Sequence, residues 1–181
     1  QCEQTAGCSG CTGNAGVCGK SANTAKLQDE LTGALIGLAH AANGTLPEGQ
    51  PIEKVMIESL FATLTNVNFD DDALKALLAR VHEKKAELVP GCGSCMSSCG
   101  HNDDYDMMRI WEADEDIRSL KSLILFGIRG MAAYAYHAMV LGYENAEVNR
   151  FFSKALFALG EDWDMELLLP IVMEVGKYNL L

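Results

Sequence analysis

Leu27, Leu31, Leu35 and Leu38 recur at steps of four, four and three, a spacing that gathers side chains on one face of an α-helix and scatters them across both faces of a strand. The same period governs nearly all of the chain outside two short cysteine-bearing segments. No stretch shows the sustained alternation and β-branched enrichment of a strand. The expected fold is therefore all-α. Stop signals divide it: the first helix ends near Asn43-Gly44, Pro51 suits the first turn of a second, and Asp70 is the natural N-cap of a third. Its core face is Leu74, Leu77, Leu78, Val81 and Leu88. A short fourth helix is expected from Asp103 or Asp104, and a long fifth from Asp114 or Glu115 to Gly142. Asn145 then caps a sixth helix ending at Gly160, and Asp164 caps a seventh that contains Pro170, which forfeits a backbone hydrogen bond and kinks it.

A weak internal repeat underlies this order. Sliding the chain by 93 residues lays Leu27, Leu31, Leu35 and Gly37-Leu38-Ala39 over Leu120, Ile124, Ile128 and Gly130-Met131-Ala132. With short gaps, Leu60-Phe61-Ala62 also falls over Leu156-Phe157-Ala158, and Phe69-Asp70 over Trp163-Asp164. Each half offers three amphipathic helices, enough to close a core. The expected organisation is a cysteine- and glycine-rich loop over 1–21, a three-helix bundle over 22–90, a cysteine-containing connector with a short helix over 91–113, and a second three-helix bundle over 114–181.

Charge narrows the partners. A formal charge of -11 opposes a polyanion, so neither nucleic acid nor an anionic membrane surface is expected. No uninterrupted apolar run reaches the roughly 18 to 20 residues that span a bilayer, and the first residues are polar and glycine-rich, unlike a signal peptide. A cytoplasmic location is the expectation. Gln1 and the "KYNLL" ending read as trimmed ends.

Seven cysteines cannot close into pairs without a remainder, and a helical chain of this size is no disulfide scaffold. They fall in two clusters: Cys2, Cys8, Cys11 and Cys18 in the first, Cys92, Cys95 and Cys99 in the second. Each contains a C-x-x-C pair with glycine in or beside it, so that the backbone can curl two thiolates onto one metal. Two such pairs meeting in space would make a tetrahedral zinc staple. Thiolates spread over a long glycine-rich loop can instead wrap an iron–sulfur cluster. Spacing alone leaves both open, as it leaves open a metal-free fragment with reduced or disulfide-bonded thiols.

Several linked pieces of the first segment resemble the hybrid cluster proteins, also called prismane proteins or hydroxylamine reductases. They are Cys2-Glu3-Gln4-Thr5, Gly10-Cys11-Thr12, Val17-Cys18-Gly19-Lys20 and Leu27-Gln28-Asp29. "FATLTNVNFD" and "DIRSLKSLILFGIRGMAAYAYHAMVLGY" are similar to later family segments. The resemblance implies that Cys2, Cys11 and Cys18 match three of four ligands of an iron–sulfur cluster, 4Fe-4S ahead of 2Fe-2S. The first family ligand would precede Gln1, and Cys8 is the candidate substitute. It also implies a parent oxidoreductase that reduces hydroxylamine to ammonia or handles nitric oxide, and whose hybrid iron–sulfur–oxygen cluster sits in later domains. On this reading the chain is an electron-entry domain without the active site, and its partners are the remaining domains and a redox protein. The rival is a zinc-bound helical docking module.

Other residues read as structural. Cys92, Cys95 and Cys99 are a weaker second metal group, short of a fourth ligand unless His101 supplies it. His40, His82, His101 and His137 are too dispersed for a motif. The "NDDYDM" and "EADED" runs read as helix caps, and Met131, Tyr134, Phe151 and Phe152 as core. Gly127 and Gly130 suit close helix packing, and Lys20 reads either as an electrostatic aid to a reduced cluster or as a solvated lysine.

Overall fold

A computed structural model describes residues 16, 18–45, 51–65, 67–88 and 104–181. These form seven helices and no strand: α1 (Ala22–Ala41), α2 (Pro51–Ala62), α3 (Asp71–Leu88), α4 (Met108–Trp111), α5 (Glu115–Val140), α6 (Ala146–Gly160) and α7 (Met165–Tyr178). The all-α expectation holds.

The boundaries follow local chemistry. Ser21 caps α1 by accepting from the Thr24 amide, Asp70 caps α3 through the Asp72 and Ala73 amides, and Asn145 caps α6 through Glu147 and Val148. Asp164 does the same for α7 at Leu167. Helix α1 ends where Asn43 and Gly44 turn left-handed, at φ 52° and 70°, which stops the α-ladder. Helix α4 departs from expectation: it begins at Met108, not at Asp103 or Asp104. The Tyr105 amide is committed to the Gly33 carbonyl of α1, 3.1 Å away, and the Asp106 carboxylate accepts from the Met108 amide, so residues 104–106 stay outside the helix. Asp104 caps nothing; it holds Lys85 and His82 at 3.0 and 2.8 Å. Asp114 occupies the N-cap position of α5 without a side-chain cap bond.

Packing runs within and between the halves. α1 lies along α3 and α5 along α7, with α2 and α6 against them, and contacts of α1 with α6 and of α2 with α5 join the two sets. One core passes through both. Leu31, Leu35 and Leu38 of α1, Met56 and Leu60 of α2, Ile124 and Ile128 of α5, and Phe152 and Leu156 of α6 are fully buried in it. Each such side chain contributes about 2 kcal/mol relative to exposure. Glycine permits the closest approaches: a Cβ on Gly33 would lie 2.2 Å from the Tyr105 carbonyl oxygen, and one on Gly127 2.4 Å from a Val175 methyl. Gly130, expected to share that role, faces open space. Phe151, Phe152 and Met131 are core as expected, but Tyr134 is exposed.

Two buried polar contacts also bridge the halves. Arg129 of α5 donates to the Thr32 hydroxyl of α1 at 2.9 Å, and Asn149 of α6 donates to the Glu53 carboxylate of α2 at 3.1 Å. Burial lowers the Arg129 guanidinium to about 10, an effect the charge of Asp29 opposes. Among the described residues α5 is the one helix long and apolar enough to cross a membrane by length and composition. It packs here against α2, α4, α6 and α7, with Lys121 and Arg129 buried on its inner side.

Candidate functional site

Cys18 is the candidate ligand whose surroundings the structure describes. Its thiol is exposed and forms no disulfide. It sits on a tight turn in which the Gly16 amide donates to the Lys20 carbonyl at 2.7 Å and the Gly19 amide to the Gly16 carbonyl at 2.9 Å. Gly19 closes that turn at φ 89°, a conformation costly for any residue with a Cβ. The thiol folds back over the turn, since a Cβ on Gly16 would lie 3.0 Å from the Cys18 sulfur.

Two anchors fix this turn to the helices. Lys20 is buried and donates to the Gln28 side-chain oxygen on α1. Gln28, also buried, turns its amide nitrogen toward the carbonyls of Ala62 and Asn68, at 3.3 and 3.2 Å. The end of α2 and the loop after it are thus tied through one side chain to the residue two places beyond Cys18. A second anchor lies at the N-terminus of α1, where Thr24 and Asn23 both donate to the Asp71 carboxylate at the start of α3. These bonds, Thr24 first, hold the Asp71 carboxyl below its usual value. The solvated reading of Lys20 does not hold, because its ammonium is buried and donates to the neutral carboxamide of Gln28, a bond that leaves its positive charge in place.

The turn therefore presents one thiol to solvent from a clamped backbone. As a thiolate it is a soft donor for zinc or iron. Cys2, Cys8, Cys11, Cys92, Cys95, Cys99 and His101 lie outside the described residues. Among the described residues no three His, Cys, Asp or Glu side chains are grouped to hold a metal. The other histidines engage locally: His40 stacks on Phe157 and lies 3.6 Å from Glu161, His82 meets Asp104, and His137 sits edge-on to Phe61. Gln28 and Asp71 are positioning residues that sequence reasoning missed. A polar Gln28 beside the apolar stripe of Leu27 and Leu31 was the available signal, since an amide at such a place needs buried partners.

Comparison with known proteins bears on what the thiol serves. The sequence profile of the Prismane/CO dehydrogenase family matches residues 1–181, the whole chain. The chain belongs to this family. Relatives in the Prismane/CO dehydrogenase family include the hydroxylamine reductase of Methanococcus vannielii, 38% identical over 98% of this chain and 36% of the relative. The hydroxylamine reductase of Thermodesulfovibrio yellowstonii is 39% identical over 99% of this chain and 37% of its own length. That of Clostridium perfringens is 36% identical with the same coverage. The chain thus spans little more than a third of the curated relatives it matches. Prismane proteins carry iron–sulfur clusters, and the exposed, unpaired thiol of Cys18 fits that donor chemistry.

Proposed function

We propose that this chain is the iron–sulfur, electron-entry part of a longer hydroxylamine-reductase-like protein of the Prismane/CO dehydrogenase family. The observation that carries the proposal is the alignment of hydroxylamine reductases with 98–99% of this chain. The ligands are Cys2, Cys11 and Cys18, with Cys8 the substitute for a fourth thiolate. Cys92, Cys95 and Cys99 form a separate, weaker donor group. When bound, a cluster supplies reversible one-electron storage, 4Fe-4S ahead of 2Fe-2S. Reduction of hydroxylamine to ammonia, or turnover of nitric oxide, belongs to the rest of the parent protein, where the hybrid cluster resides. We assign the chain to the cytoplasm and its electrons to a separate redox protein. Residues 22–90 and 114–181 are two three-helix units of one repeated plan.

The residues of this chain have definable tasks. The Gly16–Lys20 turn carries Cys18 at an exposed position, Lys20 and Gln28 hold the turn against the helices, and Asp71 fixes the first turn of α1. A clamped backbone keeps a donor where it is needed with little ordering cost on binding.

Anaerobic incubation with iron and sulfide tests this. Charge-transfer absorption, acid-labile sulfide and an electron paramagnetic resonance signal on reduction are expected, with all three diminished by Cys18→Ser. About one zinc per chain in colourless protein, the stoichiometry of a tetrahedral four-thiolate site, would overturn it in favour of a docking module.

A further inference from the structure

Helix α7 carries a stripe of apolar side chains on the side turned away from the core. Met165, Leu169 and Met173 follow one another at steps of four, which keeps them on a single face over roughly 12 Å of helix, and Leu180 stands in the turn that follows α7. Leu169 is 52% exposed, Met173 69% and Leu180 86%, while Leu168 and Ile171 point inward and are buried. The neighbouring α5 repeats the pattern: Tyr134 is 76% exposed, and Leu123 and Leu141 stand on the same side of the helix. A cleft of about 350 Å³ opens at the C-terminal ends of the two helices, lined by Tyr134, Met139, Tyr143 and Tyr178 and, at its polar edge, by Asn149 and by Glu144, which pairs with Lys54.

Isolated exposed apolar residues need no explanation, but a continuous stripe beside an open cleft marks a contact surface. Formal charge is confined to the edges, at Glu144, Glu166 and Glu174. No Asp, Glu, Lys or Arg occurs from Gly130 to Tyr143 or from Leu167 to Met173, in a chain whose formal charge is -11. Such a surface suits neither an ion, a nucleic acid nor a strongly charged protein; it suits the apolar face of another folded segment. The relatives are nearly three times as long as this chain, which supplies 36–37% of their length. The larger part of a protein of that length has to pack against this one somewhere.

We infer that the α5–α7 face is the seat of the remaining polypeptide of the parent protein, which covers the α7 stripe and inserts an apolar side chain into the cleft beside Tyr134. This rests on the proposed reading only in taking the chain as part of a longer protein, and is independent of whether a cluster is bound.

Hydroxyl-radical footprinting tests it on the 181-residue chain and on the full-length protein of the same gene. Oxidation of Met165, Met173 and Tyr134 should slow about tenfold in the longer protein, as burial of thioether and ring demands, while the exposed Met108 of α4 keeps its rate. Equal rates in the two proteins would overturn the inference. So would a doubled mass of the short chain with protection of the same residues, which would make a second copy the cover, or its sedimentation with phosphatidylcholine vesicles. The double variant Leu169→Glu with Met173→Glu gives an independent readout. It should leave the melting temperature of the short chain unchanged and lower that of the full-length protein; an equal drop in both would show a role confined to this fold. Protection without iron binding would fault the cluster proposal alone, and iron binding without protection would fault this inference alone.

Discussion

Gln28 on α1 and Lys121 on α5 stand 93 residues apart and hold corresponding posts. Each is buried, and each reaches across to two backbone carbonyls where the next helix ends. Gln28 donates to Ala62 and Asn68, at the end of α2 and just beyond it; Lys121 donates to Leu159 and Glu161, at 3.0 and 2.8 Å, at the end of α6 and just beyond it. The carbonyls at a helix end lack intrahelical partners, so either side chain satisfies groups that would otherwise be stranded. The difference is in what is left over. An ammonium has only donors, whereas a carboxamide keeps an oxygen free. In the first half that oxygen accepts from Lys20 and draws in the segment that carries Cys18. In the second half the ammonium offers no acceptor, so a donor such as Lys20 has no counterpart there.

Substitutions can break this comparison. Gln28→Leu should have the largest effect, about 3 kcal/mol in urea denaturation, because it strands two carbonyls and removes the acceptor of a buried ammonium. Lys121→Met strands the same kind of carbonyls but leaves no unpaired cation behind, so a loss nearer 2 kcal/mol is expected. Its pH dependence sharpens the point. Burial lowers the Lys121 ammonium from its usual 10.5, so between the lowered value and 10.5 the unfolded chain holds more protons. The wild type should gain stability relative to Lys121→Met as pH rises through that window.

Gln28→Lys installs the second half's solution in the first. The carbonyls stay satisfied while two ammonium groups face each other, and the readout is thiol labelling of Cys18, expected to quicken about tenfold as the turn is released. Unchanged labelling would show that Lys20 does not hold the turn. The smallest effect should come from Asp71→Asn. A carboxyl held below its usual 3.8 by Thr24 and Asn23 stabilises the fold above that pH and loses the contribution as pH falls through its lowered value. The gap between wild type and Asp71→Asn should therefore close in acid.

Helix identity and ends were legible in the sequence wherever a cap residue met a change in period. Asp70, Asn145 and Asp164 cap as their positions imply, and Gly142, at φ 84°, stops α5. The start of α4 was not legible, because a backbone bond from Tyr105 to Gly33, 72 residues away in sequence, keeps its approach out of the helix. Tyr134 misled for a related reason: helical spacing says which side chains share a face but not which face the protein covers. For the site, composition and motif singled out Cys18. They could not reveal that Lys20 is spent on Gln28, since that pairing exists only once α1 has folded.

The crossing at Gly33 has one more consequence. The carbonyl of a residue midway along α1 already serves the helix ladder, and its second lone pair anchors a connector that leads, through Arg109 and Asp162, to the doorstep of α7. A one-turn ratchet of α1 would have to drag that connector along or tear it loose. Sliding of α1 past that connector is thereby opposed, and the exposed Cys18 turn at the head of α1 is tied to a helix that cannot slip without breaking the bond.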